Sequence, residues 1–318
     1  MTMANKKQKV AIVGTGAVGS SIAFQLVIQG VCDEIVLMDL NQRKAQSEAL
    51  DLTHCIDFLD HKVRVTAGEY SQCGDMDIII ITAAVPLVLG QTRLDMLGSA
   101  QKIMKSIVPP IMESGFKGHF IIITNPVDIM SYYAYKLSGL PKSHIIGTGT
   151  ALDSARLKNF LADLVEVDPR SVQAYTIGEH GDSQFVPWSN VLIGGKRFDD
   201  ILEDNKERFA DVDLNKFLED TKRAGWVIAE GKGTTNFGIA STTVAIVKAV
   251  LNDENKIMPV STLLEGEYGV DEVFAGVPCV LNQSGVKEIV EIRLNEEEKN
   301  QFDHSVQVIK EYIAQLDC

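Results

Sequence analysis

The chain has 318 residues, 45% hydrophobic and 23% charged, a globular mix long enough for one large domain or two ordinary ones. Lys and Arg number 30 against 43 Asp and Glu, a formal charge of −13, so the mean field disfavours nucleic acid, while a local arginine cluster can still hold a small anion. No apolar run approaches the ~18 residues that span a bilayer. The start, MTMANKKQK, is polar, unlike a secretory signal. Five scattered cysteines without CxxC spacing suggest reduced thiols in a cytoplasm rather than disulfides or zinc.

In chain order, short Ile- and Val-rich runs at 10–13, 34–38, 63–66, 78–82, 120–124 and 145–147 predict strands covered on both faces. Amphipathic stretches at 18–29, 43–52, 94–113 and 129–137 predict helices between several of them. This alternation gives an α/β class, a doubly wound and mostly parallel sheet over residues 1–148. Residues 149–318 read differently. Helices are expected at 153–164, 214–230 and 235–251, and shorter strands at 277–281 and 288–292. A closing helix puts Phe302, Val306, Ile309, Ile313 and Leu316 on one face, with Asn295 and Glu298 as its N-terminal cap. This half predicts an α+β catalytic domain that holds the substrate.

The first strand runs into GTGAVG. Gly14 permits a tight turn, Gly16 lets a pyrophosphate approach the backbone, and Gly19 lets the helix pack closely. The helix starting at Ala17 and Val18 offers N–H groups and a partial positive charge to phosphates. The second strand ends in Asp39, twenty positions after Gly19, where a carboxylate accepts ribose hydroxyls and repels a 2′-phosphate. These features predict a Rossmann-type site for NAD rather than NADP. The alternative role for Asp39 is to cap the helix that begins near Gln42. A second glycine-rich stretch, GWVIAEGKG, has the wrong spacing for a phosphate loop and sits in a helical pattern.

Polar islands follow at Arg93, TNPVD, LDSAR and GEHGDS. His180, flanked closely by glycines, suits proton exchange near neutral pH. A carboxylate on its far nitrogen would fix the tautomer and favour the charged form; Asp153 is the first candidate and Asp182 the rival. Arg156 lies one helical turn after Asp153 and can grip a carboxylate, or form a simple ion pair. Asn125 precedes Pro126 at a strand end, where a tight turn could aim it into the crevice. The spacing of Glu179, His180 and Asp182 does not favour a metal site.

Together GTGAVG, VLMDLN, EALDLTH, TNPVD, GTGTALDSAR and GEHGDSQFVPWS make the chain resemble the L-lactate and malate dehydrogenase superfamily, from about Lys9 to the last helix. GEHGDSQFV and DPRSV are most similar to lactate and L-2-hydroxyisocaproate dehydrogenases. The resemblance implies that NADH gives a hydride to a 2-oxo acid while His180 gives the proton, Asp153 orients His180, Arg156 clamps the substrate carboxylate, and Arg93 polarises the carbonyl from a closing loop. It further implies that Asn125 contacts substrate and helps place the nicotinamide, that Thr235 lines the pocket, and that the enzyme is a homotetramer.

The segment VPLVLGQTR departs from the family. Malate dehydrogenases resemble VPRKPGxTR there, lactate dehydrogenases carry glutamine, and this chain has Leu87. Leucine cannot pair a second carboxylate, so malate activity is disfavoured, and longer apolar substrates gain ~0.8 kcal/mol per buried CH₂. Lys158 and Asn190 stand where some bacterial relatives bind fructose 1,6-bisphosphate through an arginine and a histidine, so weak or absent activation is expected. The leading expectation is an L-lactate dehydrogenase with a pocket widened toward apolar 2-oxo acids. Its alternatives are a branched-chain 2-hydroxyacid dehydrogenase with weak pyruvate activity and a non-catalytic NAD-binding sensor.

Overall fold

The computed structural model describes residues 7–84 and 93–317, without the side chains of residues 93–96. The first half alternates β1 (Lys9–Val13), α1 (Ala17–Gln29), β2 (Glu34–Met38), α2 (Gln42–Cys55), β3 (Arg64–Ala67), β4 (Ile78–Ile81), α3 (Arg93–Glu113), β5 (His119–Ile122), α4 (Val127–Ser138) and β6 (Ile145–Gly147). These strands pair in parallel in the order β3-β2-β1-β4-β5-β6. Ile78–Ile81 is buried at every position, as a strand with helices on both faces requires.

The second half contains α5 (Ala151–Val165), β7 (Val172–Gln173), β8 (Leu192–Ile193), β9 (Lys196–Arg197), α6 (Phe198–Asp204), α7 (Leu214–Lys232), α8 (Phe237–Leu251), β10 (Lys256–Glu265), β11 (Asp271–Asn282), β12 (Gly285–Ile289) and α9 (Glu296–Ile313). Asn295 and Glu298 form the expected reciprocal cap of α9. The apparent phosphate loop at 225–233 is mostly helix, ending at the α7 C-cap Gly233.

The sequence reading assigns no strand to residues 256–265, yet β10 is internal, between β6 and β11. Its Pro259 argues against a central strand. The structure satisfies it by placing Pro259 directly opposite Pro278 of β11. The Pro278 carbonyl accepts from Val290 N, so the missing donors of this rung point away from the β10–β11 ladder. One rung, Ser261 to Gly147, joins β10 to β6 and carries the sheet from one half of the chain into the other. Strands β11 and β12 also differ from expectation: β11 extends further to its N-terminal side, and β12 starts earlier.

At the amino ends of the parallel strands, His119 packs against His144 with tilted rings whose centroids are 4.4 Å apart. Burial, and then the neighbouring His144, push His119 down to about 4. Its folded value lies below the ~6.5 of a free histidine, so the unfolded chain binds the proton more tightly. This group therefore contributes stability above about pH 6.5 that is lost as pH falls toward 4. His119→Phe is expected to flatten the loss of thermal stability across that window, measured as melting temperature against pH; an unchanged slope would assign acid sensitivity to other groups.

Candidate active site

The glycine turn is built as its spacing predicts. Gly14 has φ of 97°, and a Cβ there would lie 2.9 Å from Ala83 N. At Gly19 a Cβ would come within 1.9 Å of the Gly14 carbonyl oxygen, so only glycine lets α1 pack on this turn. At Gly16, by contrast, a Cβ would meet nothing within 4 Å among the described residues. Gly16 is the N-cap of α1 and provides no side-chain cap. The first helical bond runs from Ser20 N to the Gly16 carbonyl, which leaves the amides of Ala17, Val18 and Gly19 as unspent donors of the first turn among the described residues. Open space in front of those donors fits a diphosphate.

Asp39 terminates β2 and ties the turn in place. Its Oδ2 accepts from Thr15 N at 2.8 Å and Thr15 Oγ1 at 2.9 Å, and its Oδ1 from Asn41 N at 2.9 Å. Partial burial opposes the charge, but these donors hold the carboxyl below its ordinary range. The helix cap is Asn41, whose side chain accepts from Lys44 N, so capping α2 does not account for Asp39. A cavity of about 280 Å³ beside it is also lined by Glu69, and two carboxylates make this corner unfavourable for an added phosphate.

The second cluster forms where β5 and β6 end. Asp153, in the first turn of α5, has a side chain only 2% exposed. Its Oδ2 lies 2.6 Å from His180 Nδ1, and its Oδ1 accepts from Arg156 Nη1 at 2.9 Å. Of the two carboxylates considered for His180, Asp153 is thus the one on the ring. Burial alone would raise the Asp153 carboxyl; the imidazole and the guanidinium hold it down. Burial likewise opposes the charged form of His180, yet the Asp153 carboxylate raises the imidazole to about 9. With Nδ1 committed, Nε2 remains for proton exchange, and the side chain is 28% exposed.

The loop bearing His180 is pinned from several elements. Gly178 exchanges two backbone hydrogen bonds with Gly276 of β11, at 2.9 and 2.8 Å. Glu179 N donates to Ser305 Oγ of α9 at 2.7 Å, and the Glu179 carboxylate accepts from Ser183. His180 N donates to Asp128 Oδ2 at 2.7 Å. Asp128 closes the TNPVD motif, where sequence position alone assigns it no role. An acid in the first turn of a helix usually just favours the dipole, and burial is not legible from that position.

The remaining expected residues are distributed as follows. Asn125 stands exposed in the link between β5 and α4, and its bond to Pro126 is cis. Thr235 is half-buried in the link between α7 and α8. Helix α7 passes Arg156, since a Cβ on Gly225 would lie 3.4 Å from Nη2. Arg93 opens α3, but its side chain lies outside the described residues, as does Leu87. Among the described residues no group of three His, Cys, Asp or Glu side chains could hold a metal ion. No described helix is long and apolar enough to cross a membrane.

A parallel sheet with a glycine turn facing free helix amides, beside a buried carboxylate linking an imidazole to a guanidinium, defines an NAD-binding dehydrogenase. Two family models match the chain. The NAD-binding domain of lactate/malate dehydrogenase covers residues 8–147, and the alpha/beta C-terminal domain covers 150–317. The chain therefore belongs to the lactate/malate dehydrogenase family, as an NAD-dependent oxidoreductase acting on a CH–OH group. It is 48% identical over 314 residues to L-lactate dehydrogenase 3 of Bacillus thuringiensis subsp. konkukian, spanning 99% of both chains. It is also 48% identical over 306 residues to L-lactate dehydrogenase 2 of Bacillus anthracis, spanning 96% of this chain and 97% of that one. The ligand-bound structure of minor L-lactate dehydrogenase from Enterococcus mundtii superposes with a TM-score of 0.94 at 42% identity, covering 97% of this chain and 98% of that one. Malate dehydrogenase from Cryptosporidium parvum does so at 0.91 and 32% identity, covering 98% and 99%.

The two helix glycines separate binding from folding. Gly16→Ala is expected to leave the melting temperature near that of the parent and to weaken NADH binding in a fluorescence titration. Gly19→Ala should instead lower stability by ~3 kcal/mol or more, because its Cβ overlaps the Gly14 carbonyl. Equal NADH affinity for Gly16→Ala and the parent would contradict the assignment of the open space to the diphosphate.

Proposed function

We propose that the chain is an L-lactate dehydrogenase that interconverts pyruvate and L-lactate and whose pocket also takes larger apolar 2-oxo acids. The Asp153 carboxylate shared by His180 and Arg156 carries this reading. Bound NADH supplies the hydride that reaches the carbonyl carbon. His180 Nε2 gives the proton to the carbonyl oxygen, and takes it back in the reverse direction. Asp153 fixes the ring and stabilises its positive charge. Arg156, with one nitrogen on Asp153, turns the rest of its guanidinium to the substrate carboxylate. Arg93, at the start of α3, polarises the carbonyl. Asn125 contacts substrate and the nicotinamide side of the site, and Thr235 lines the pocket wall.

Leu87 meets the substrate side chain. A dicarboxylate would leave its second charge against leucine at a cost of several kcal/mol, whereas a branched apolar side chain gains from the contact. The Asn190 amide donates to Ser189 Oγ and to the Arg293 carbonyl, which supports weak or absent activation by fructose 1,6-bisphosphate. The domains divide at residues 148 and 149, and the chain works in the cytoplasm as a homotetramer. Exposed Phe24 and Ile28 on α1, with Trp226 on α7 and Phe237 on α8, are apolar groups that copies of the chain could cover.

The raised imidazole sets the pH dependence. Reduction needs charged His180 and should lose kcat/KM as pH rises through about 9, while oxidation needs the neutral ring and should gain over the same range. Steady-state kinetics in both directions test this, together with His180→Ala, which is expected to bind NADH and not turn over. Among pyruvate, 2-oxo-isocaproate, phenylpyruvate and oxaloacetate, the last should have the lowest kcat/KM; oxaloacetate as the best substrate would overturn the role of Leu87.

A further inference from the structure

Past its first turn, the buried face of α9 consists of Phe302, Ser305, Val306 and Ile309. Three of these are apolar, and Phe302 packs its ring against those of Phe185 and Tyr268. Ser305 is fully buried among them. Alanine forms helix better and needs no partner, so a hydroxyl at this position calls for a reason. Hydroxyls within helices commonly turn back to the carbonyl four residues earlier, as Thr221 does to Phe217 and Ser241 to Phe237. Ser305 reaches outward, into the loop that carries His180.

Ser305 Oγ accepts from Glu179 N at 2.7 Å and lies 3.0 Å from Ser183 Oγ. Ser183 Oγ donates to the Glu179 carboxylate, which also accepts from Ser183 N at 3.2 Å. A hydroxyl has one hydrogen, and that of Ser183 is spent on the carboxylate. Ser305 is therefore the donor to Ser183. The bonds close a ring: Glu179 N to Ser305, Ser305 to Ser183, Ser183 to the Glu179 carboxylate, and back through the Glu179 side chain. His180 lies inside the turn that this ring closes. A Cβ on Gly178 would lie 2.4 Å from Ser305 Oγ, so glycine there lets α9 reach the loop.

The two successive amides at Glu179 and His180 are held from different elements. His180 N is held from α4, and Glu179 N from α9. One anchor leaves the peptide between them able to swivel, whereas two fix its plane and with it the direction of the His180 side chain. We propose that Ser305 is a positioning residue for proton exchange: the ring of hydrogen bonds it completes aims the imidazole at Asp153 and turns Nε2 toward the substrate carbonyl. This proposal rests on the proton-exchange role given to His180 above. Among the described residues Ser305 makes no hydrogen bond to Arg156 or to the glycine turn, so it acts on the alignment of His180 and not on the binding of substrate or cofactor.

Ser305→Ala in the full-length enzyme removes the hydroxyl and keeps the helix. Rates are counted per NADH-binding site, so any unfolded fraction drops out. The value of kcat is expected to fall on the order of 10- to 100-fold in both directions, the size of effect that a misaimed reacting group produces. The KM for pyruvate and the Kd for NADH should stay within about twofold of the parent. Val306→Ala, on the same buried face, leaves a cavity without touching the ring; it should lower the melting temperature by several degrees and leave kcat as in the parent. A parent-like kcat in Ser305→Ala would overturn the positioning role. So would an equal fall of kcat in Val306→Ala, or a loss in Ser305→Ala carried by pyruvate KM or NADH Kd. Turnover retained by His180→Ala would instead refute the reading of the site on which the proposal rests.

Discussion

Asp153 has two cationic partners and almost no water. Its two oxygens are divided between His180 and Arg156, so one buried charge sets the orientation of both. Removing water strengthens each attraction and makes any unpaired charge there expensive. The same bond that aligns the imidazole also fixes its tautomer, because Nδ1 faces the carboxylate and Nε2 is left toward the opening. Everything proposed about catalysis follows from this division of one carboxylate: a proton held on the outer nitrogen, and a guanidinium whose remaining donors point away from Asp153.

The sheet makes that arrangement possible. The glycine turn follows β1 and α5 follows β6, and parallel strands of one sheet present such loops along the same edge. Strands β10 and β11 then extend the sheet with antiparallel pairing. This extension brings Ser261 beneath Asp128 and Gly276 against Gly178, so the loop carrying His180 hangs from the sheet by backbone as well as side-chain bonds. The one-rung contact between Ser261 and Gly147 is therefore central to the site. It joins the nucleotide-binding half to the elements that hold the histidine.

The sequence made some of this readable and left other parts hidden, for physical reasons. Gly14, Gly19 and Asp39 were legible because their roles are set by local backbone geometry at fixed offsets from a strand. The pairing of Asp153 with Arg156 was legible from one helical turn. The choice of Asp153 over Asp182 for His180 was favoured but not fixed, since proximity across 27 residues depends on how two halves of the chain pack. Strand β10 was hidden by Pro259, whose partner Pro278 lies in another strand, so the compensation is not visible locally. Asp128 was hidden because nothing in TNPVD distinguishes a solvated helix-end acid from one buried under a histidine.

The shared carboxylate is tested most directly by replacing Asp153 with asparagine and following the His180 ring by NMR titration. If Asp153 stabilises the imidazolium, burial then acts without its main opponent and the ring should titrate below the ~6.5 of a free histidine. A ring that still titrates near 9 in that variant would contradict the account.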